Sequence, residues 1–205
     1  VTPNQVFTEF VTKRDQSAGF ALLTLAGGSD IVAPGYGQET ILNLPAGDYV
    51  LLCLVVGDDG VSHVDKGMIH FFTVKAATTQ VTPPASDGEV VMRDNGYILP
   101  PVIGRAQALT LRVTNQGSEP HEMNIVRLAP GKSIRDVLAF FRSPSGPPPL
   151  EEFGGMAALA PGESGWVRLH LEPGNYALCS LIPDLKTGQP QLTQGMIAPF
   201  TVNER

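Results

Sequence analysis

Three side chains that bind soft metal ions lie within one short stretch of the chain. Residues 53–68 read CLVVGDDGVSHVDKGM and contain Cys53, His63 and Met68, with Gly67 directly before the methionine. A thiolate, imidazoles and a weak axial thioether form the ligand set that suits copper. The stretch therefore supplies three of the four ligands of a site for one copper ion. The alternative stays open: a strand, a loop and a second strand in which Cys53 is only a small buried apolar residue.

The chain contains an internal repeat, so this stretch has a second copy. Residues 44–74 and 171–202 share a turn with Pro and Gly, a Tyr, an apolar strand, a loop, Gly-Met-Ile and Phe-Thr-Val. Upstream, residues 27–49 run parallel to residues 154–176 without a gap. The two copies are 127 positions apart before the loop and 128 apart after it, because the second loop has one extra residue.

The second copy has lost two of the three candidate ligands. The counterparts of Cys53, His63 and Met68 are Ser180, Gln191 and Met196. Cys179 lies one residue before the counterpart position, and neighbouring residues of a strand point to opposite faces of the sheet. We therefore expect the second copy to bind no metal, and we expect copper, if bound, in the first copy.

Composition and pattern predict an all-β protein in which each copy has one short helix. The chain has 22 glycines, 18 prolines and 42% hydrophobic residues, which is rich in turns and apolar enough to fold. Thr2 and Ser133 each precede a short amphipathic stretch and resemble helix N-caps with a capping box. Strand-like segments such as ALTLRVTN and YALCSLI lie between turn residues. We expect a first domain at 1–75, a linker at 76–88 and a second domain at 89–205.

Several classes of function are disfavoured by charge and motifs. The formal net charge is −6 without a basic cluster, so we expect no nucleic-acid partner. No run of about 18 apolar residues occurs, so we expect no membrane span. The four histidines form no His-x-His pair, and no serine-hydrolase, phosphate-loop or zinc-protease motif is present. We therefore expect a protein that is not an enzyme.

The repeat resembles the cupredoxin superfamily of blue-copper-like proteins. The resemblance rests on a Tyr-containing strand that leads to Cys53, then His63 and Gly-Met, and on the turn VTNQGSEPHEMNIV with His121. It implies two Greek-key β-sandwich domains, electron transfer through copper, a redox protein partner and export from the cytoplasm. A metal-free second domain would keep His121 as a structural residue that bonds a loop carbonyl. The alternative is a non-catalytic structural or binding module that has lost copper in both domains.

The two copies are not equally complete. The second devotes residues 89–128 to strands that precede its helix, whereas the first has no such strands before Thr2. Such a sandwich would leave unpaired backbone edges. We expect these to be covered by an upstream segment or by a strand from another chain, which would also deliver the missing histidine.

Overall fold

The computed structural model describes residues 1–79, 81–184 and 186–204, which form two compact units. The first unit comprises Val1–Thr24 and Leu44–Thr82, and the second comprises Leu25–Asn43 and the chain from Pro83 onward. The passage between units at Thr82 lies within the predicted linker. Residues 25–43, which the sequence assigned to the first domain, pack instead with the second.

The chain is mainly β-strand with a few short helices. The strands are β1 (Glu39–Leu42), β2 (Gly47–Leu52), β3 (Ile69–Val74), β4 (Gly88–Arg93), β5 (Gly96–Ile98), β6 (Gln107–Asn115), β7 (His121–Leu128), β8 (Leu150–Leu159), β9 (Ser164–Leu171), β10 (Gly174–Cys179) and β11 (Ile197–Val202). The α-helices are α1 (Pro3–Phe7), α2 (Gln16–Phe20) and α3 (Ile134–Arg142), and shorter helical turns cover Thr8–Thr12, Pro101–Gly104 and Gln191–Gln194. The predicted all-β class is confirmed. No helix of the described residues is long and apolar enough to cross a membrane.

The second unit is a complete β-sandwich. One sheet has the order β1-β9-β6-β4-β5 and the other β11-β10-β7-β8, and all pairs are antiparallel except β4 with β6. Alternate residues of these strands point inward, as the period of two requires. The core between the sheets includes Leu111, Val113, Met123, Ile125, Met156, Val167, Tyr176 and Leu178.

Helix α3 covers the outer face of the second sheet. Its predicted N-cap is confirmed, because the Asp136 carboxylate accepts the backbone N–H of Ser133 at 2.8 Å. The helix packs Ile134, Leu138 and Phe141 against buried residues of β7 and β10. The outer apolar face of the sheet is thereby removed from water.

The first unit is smaller and has only two strands among its described residues. Helix α1 begins at the predicted cap, where Gln5 accepts the backbone N–H of Thr2 at 2.7 Å. Val6 and Phe10 pack with Val64 and with partly buried residues of β2 and β3. Strands β2 and β3 pair with each other and with no further strand of the described chain. Among the described residues, only the second unit therefore forms a complete sandwich.

Residues 25–43 pair with their own repeat counterparts in the second unit. Thr40 of β1 lies opposite Val167 of β9, and these two residues are 127 positions apart, the offset of the repeat. A separate bridge joins Ser29 to Met156, which is again its counterpart. Antiparallel pairing of equivalent positions produces a local twofold relation between the two segments. Sequence similarity indicated that the segments are equivalent but not that they contact each other.

Candidate metal site

The loop after β2 brings Cys53 and His63 back to the same place. The backbone N–H of Cys53 donates to the carbonyl of Met68 at 3.0 Å, and that of His63 donates to the carbonyl of Val55 at 2.8 Å. The N–H of Met68 in turn donates to the carbonyl of His63 at 2.9 Å. Gly67 has a φ of 95°, which a residue with a side chain rarely adopts, and so permits the tight return before Met68.

Cys53 and His63 have a geometry that fits one shared metal ion. The Cys53 Sγ atom lies 3.5 Å from Nδ1 of His63, and both residues are half-buried. A metal ion bound by both at bond lengths of about 2.3 Å to sulfur and about 2.0 Å to nitrogen would hold these atoms roughly 3.5 Å apart at a tetrahedral angle. The spacing that the two ligands require is thus already present.

The third predicted ligand is less closely engaged. The Met68 backbone is bonded to both Cys53 and His63, but its side chain leaves the residue 57% exposed. The Met68 side chain is therefore not part of the core of the first unit. Within residues 1–79, 81–184 and 186–204, no group of three or more His, Cys, Asp or Glu side chains is arranged to hold a metal ion. Cys53 and His63 thus form a pair of candidate ligands with the Met68 residue close by in the sequence, and no second imidazole of the described residues joins this pair.

The second unit repeats the backbone of this loop. The N–H of Ser180 donates to Met196, that of Gln191 to Ile182, and that of Met196 to Gln191, at 3.0–3.1 Å. These bonds correspond one for one to those of Cys53, His63 and Met68, and Gly195 again has a positive φ of 115°. The counterparts assigned from the sequence are thus equivalent in their hydrogen bonding.

In the second unit, a hydrogen-bond network occupies the place of the ligands. Nδ1 of His121 lies 2.8 Å from Oε1 of Gln191, and the Ser180 hydroxyl donates to the same oxygen at 2.8 Å. The Gln191 amide nitrogen donates to the carbonyl of Pro120 at 3.0 Å, which fixes the orientation of the amide. His121, Ser180 and Gln191 are at most 2% exposed. The buried polar groups satisfy one another without a metal ion.

Asp94 holds the other side of the His121 ring, a role that the sequence did not reveal. Its Oδ1 atom lies 3.1 Å from His121 Nε2, and the backbone N–H of Ser118 donates to it at 2.6 Å. The Ser118 N–H and the His121 ring keep the pKa of Asp94 below its ordinary value. A Cβ at Gly117 would lie 2.4 Å from His121 Nε2, so only glycine fits there. The prediction that His121 bonds a loop carbonyl was wrong, because both ring nitrogens contact side chains instead.

Cys179 lies in a buried environment that does not suit a metal ligand. It pairs with Asn124 on β7 and is packed in the cluster beneath α3, so it faces away from the Ser180 network. Burial raises the pKa of its thiol well above the ordinary value, and the nearby Glu152 carboxylate raises it further. The thiol therefore stays protonated at neutral pH, whereas a metal ligand must be a thiolate.

Three buried carboxyl groups of the second unit influence one another electrostatically, and no sequence motif indicated them. Burial raises the pKa of Glu122 to about 7, and it raises that of Asp30 well above the ordinary value, with repulsion from Glu122 adding to it. Burial also raises the pKa of Glu152. One oxygen of Asp30 and one of Glu152 are buried without a hydrogen-bond partner among the described residues. The shared burial favours protonated carboxyl groups in the folded chain.

The comparisons with known proteins found likeness in structure only. No family model matches, and no curated protein matches. The dithionite-reduced auracyanin of the photosynthetic bacterium Roseiflexus castenholzii is 19% identical, with a TM-score of 0.34 and coverage of 57% of this chain and 95% of that one. Auracyanin B is 18% identical, with a TM-score of 0.38 and coverage of 60% and 94%. The copper nitrite reductase of Nitrosomonas europaea is 12% identical, with a TM-score of 0.32 and coverage of 78% and 63%. At these identities the likeness concerns the fold.

Proposed function

We propose that this protein is an exported electron-transfer protein that binds one copper ion in its first unit and none in its second. The single observation that carries the proposal is the 3.5 Å distance between Cys53 Sγ and His63 Nδ1, which suits two ligands of one ion. Met68 would add a weak thioether ligand after a change of its exposed side chain. Bound copper would supply one-electron redox chemistry, and the Cys53 thiolate would be its principal link to the protein.

The proposal includes no substrate and no catalytic step. The ligand pair lies on a loop with exposed apolar neighbours, since Val56 is 60% exposed and Met68 is 57% exposed. Exposed apolar side chains beside a redox centre would suit brief contact with a redox protein partner. The remaining ligand would be water or an imidazole from another polypeptide.

The proposal is tested by copper titration of the full chain. We expect one equivalent of tightly bound copper and the intense visible absorption of a thiolate bound to oxidised copper. Cys53→Ser should abolish this absorption because the thiolate is lost, and Met68→Leu should retain binding and change mainly the reduction potential. Cys179→Ala is the matched control, since Cys179 is buried in the second unit, and it should keep the absorption.

Two results would contradict the proposal. An unchanged copper content and spectrum in Cys53→Ser would remove the first unit as the site. Absence of tight copper uptake by the folded wild-type chain would favour the second candidate function, a non-catalytic structural or binding module. The observation that favours this candidate is the Ser180–Gln191–His121 network, in which this loop is already stable without metal ligands.

A further inference from the structure

Residues 25–33, here called the edge segment, lie along the outer edge of β8, the last strand of the second sheet. The segment contains no regular strand, and isolated bridges attach it to β8: Ala26 with Leu159, Ser29 with Met156, and Val32 with Phe153. Gly27 and Gly28 have positive φ values of 85° and 149°, so the backbone between the first two bridges departs from an extended strand.

The backbone contact of the edge segment with β8 is longest at Asp30. The Asp30 N–H donates to the carbonyl of Gly155 at 3.4 Å, whereas the N–H of Gly27 donates to β8 at 3.0 Å. The Gly155 carbonyl also accepts the side-chain amide of Gln38 at 2.7 Å, so the Asp30 N–H shares its acceptor. A segment with few regular backbone bonds opens at a lower free-energy cost than a central strand.

The Asp30 side chain has no group that would stabilise a negative charge fully. One carboxyl oxygen accepts the backbone N–H of Ile31 at 2.7 Å. The other oxygen is buried without a hydrogen-bond partner among the described residues, and so is one oxygen of Glu152. An ionised carboxylate that is shielded from water and lacks a partner is far less stable than a neutral carboxyl group at the same place.

Among the described residues, the titratable groups that act on Asp30 are all acids. They are Glu122 of β7, Glu152 of β8, Tyr97 of β5 and Cys179 of β10. None of them can supply a positive charge. Burial, and then repulsion from Glu122, raises the pKa of Asp30 above its ordinary value. Ionisation of Asp30 therefore places a charge among acids, on a loosely bonded part of the sheet edge.

We propose that the edge segment is a pH-sensitive latch, which lies on β8 while Asp30 is protonated and detaches when Asp30 loses its proton. Detachment brings the carboxylate into water, where ionisation requires no desolvation. The attached state binds the proton more tightly, so attachment is most stable at low pH and weakens as pH rises above about 4, the ordinary pKa of an aspartate. Strand β1 stays in place because it has its own pairing with β9. Detachment uncovers the backbone groups at the edge of β8.

The test measures hydrogen exchange of the full chain between about pH 5 and about pH 8, as protection factors that correct for the faster intrinsic exchange at high pH. The amides of Gly27 and Ala157 bond across the contact, and their protection should fall at least about tenfold, since one linked proton changes an equilibrium by up to about tenfold per pH unit. The amides of β6 should keep their protection. Asp30→Asn stays neutral and should lose the pH dependence. Asp87→Asn, which changes an exposed aspartate of the same unit, is the matched control and should retain it.

Three results would overturn the inference. The first is a protection factor at Gly27 and Ala157 that does not change over this pH range. The second is the same pH dependence in Asp30→Asn as in the wild-type chain, which would assign the effect to other groups. The third is an equal loss of protection in β6, which would mean that the whole unit unfolds and that the edge segment does not detach by itself.

Discussion

The loop that ends in Gly-Met, residues 53–68 in the first copy and 180–196 in the second, has the same backbone bonds but different side-chain contacts in the two copies. In the first unit, Cys53 and His63 form a half-buried pair, and among the described residues no third His, Cys, Asp or Glu side chain joins them as a ligand. In the second, Gln191 accepts hydrogen bonds from Ser180 and His121 and all three are buried. The backbone bonds of both loops are the same. The same loop backbone is thus compatible with an amide oxygen as the common partner of the surrounding donors.

The largest expected effect is the transfer of the candidate site from one copy to the other. Ser180→Cys with Gln191→His, made in a Cys53→Ser background, should create copper absorption in the second unit. His121 already lies there, and Asp94 orients the imidazole so that its Nδ1 faces the site. Copper content and visible spectra measure the result. Ser180→Cys alone is the control and should bind more weakly, and a folded, colourless double variant would contradict the equivalence of the loops.

The next effect compares equivalent strand positions. Leu178→Ala should lower the free energy of unfolding by about 2–5 kcal/mol because it opens a cavity in the core. Leu51→Ala should cost less than about 1 kcal/mol, since Leu51 is mostly exposed. Urea denaturation followed by circular dichroism measures both, and Trp166, the single tryptophan, reports the second unit. Equal losses of unfolding free energy in the two variants would mean that the Leu51 side chain is covered in solution.

A smaller effect is the difference in how much the central side chain of each loop contributes to the free energy of unfolding. Gln191→Ala should destabilise the second unit by about 2–4 kcal/mol, because His121, Ser180 and the Pro120 carbonyl would each lose a buried partner. His63→Ala, the matched change in the first unit, should cost less than about 1 kcal/mol without copper. Trp166 fluorescence during urea unfolding follows the first variant, and circular dichroism follows the second. A cost below about 1 kcal/mol for Gln191→Ala would show that water replaces the amide.

The smallest effect is a dependence of stability on pH that is confined to the second unit. Glu122 binds its proton more tightly when folded, with a pKa of about 7, than when unfolded. Stability should therefore fall as pH rises from about 4.5 to about 7, by about 1–3 kcal/mol. Glu122→Gln keeps the acceptor for Leu181 and Ile182 and should flatten this part of the curve. An equal slope in the variant would assign the effect to Asp30 or Glu152, whose pKa values are also raised.

The sequence predicted local features well because each depends on neighbouring residues. The caps at Thr2 and Ser133 follow from side chains three residues apart, and the correspondence of Ser180 with Cys53 follows from the repeat. The role of Asp94 could not be predicted, because its partner His121 is 27 positions away and no motif joins them. The grouping of Asp30 with Glu122 and Glu152 was missed for the same reason.

The placement of residues 25–43 was missed for a different reason. The repeat makes β1 and β9 equivalent, and equivalence predicts the same kind of neighbour for each strand. Instead the two strands pair with each other, with Thr40 opposite Val167. The choice of partner among similar strands depends on which edges are free in the folded chain, and local sequence does not contain that information.

The pairing of residues 25–43 with their own counterparts also changes how that contact responds to dilution. If the two segments belonged to separate molecules, the same self-complementary register would form a dimer, and its population would depend on concentration. Within one chain the contact is intramolecular, and its effective concentration is on the order of millimolar or above. The strand contact between Thr40 and Val167 should therefore persist at concentrations at which a dimer built on the same register would dissociate.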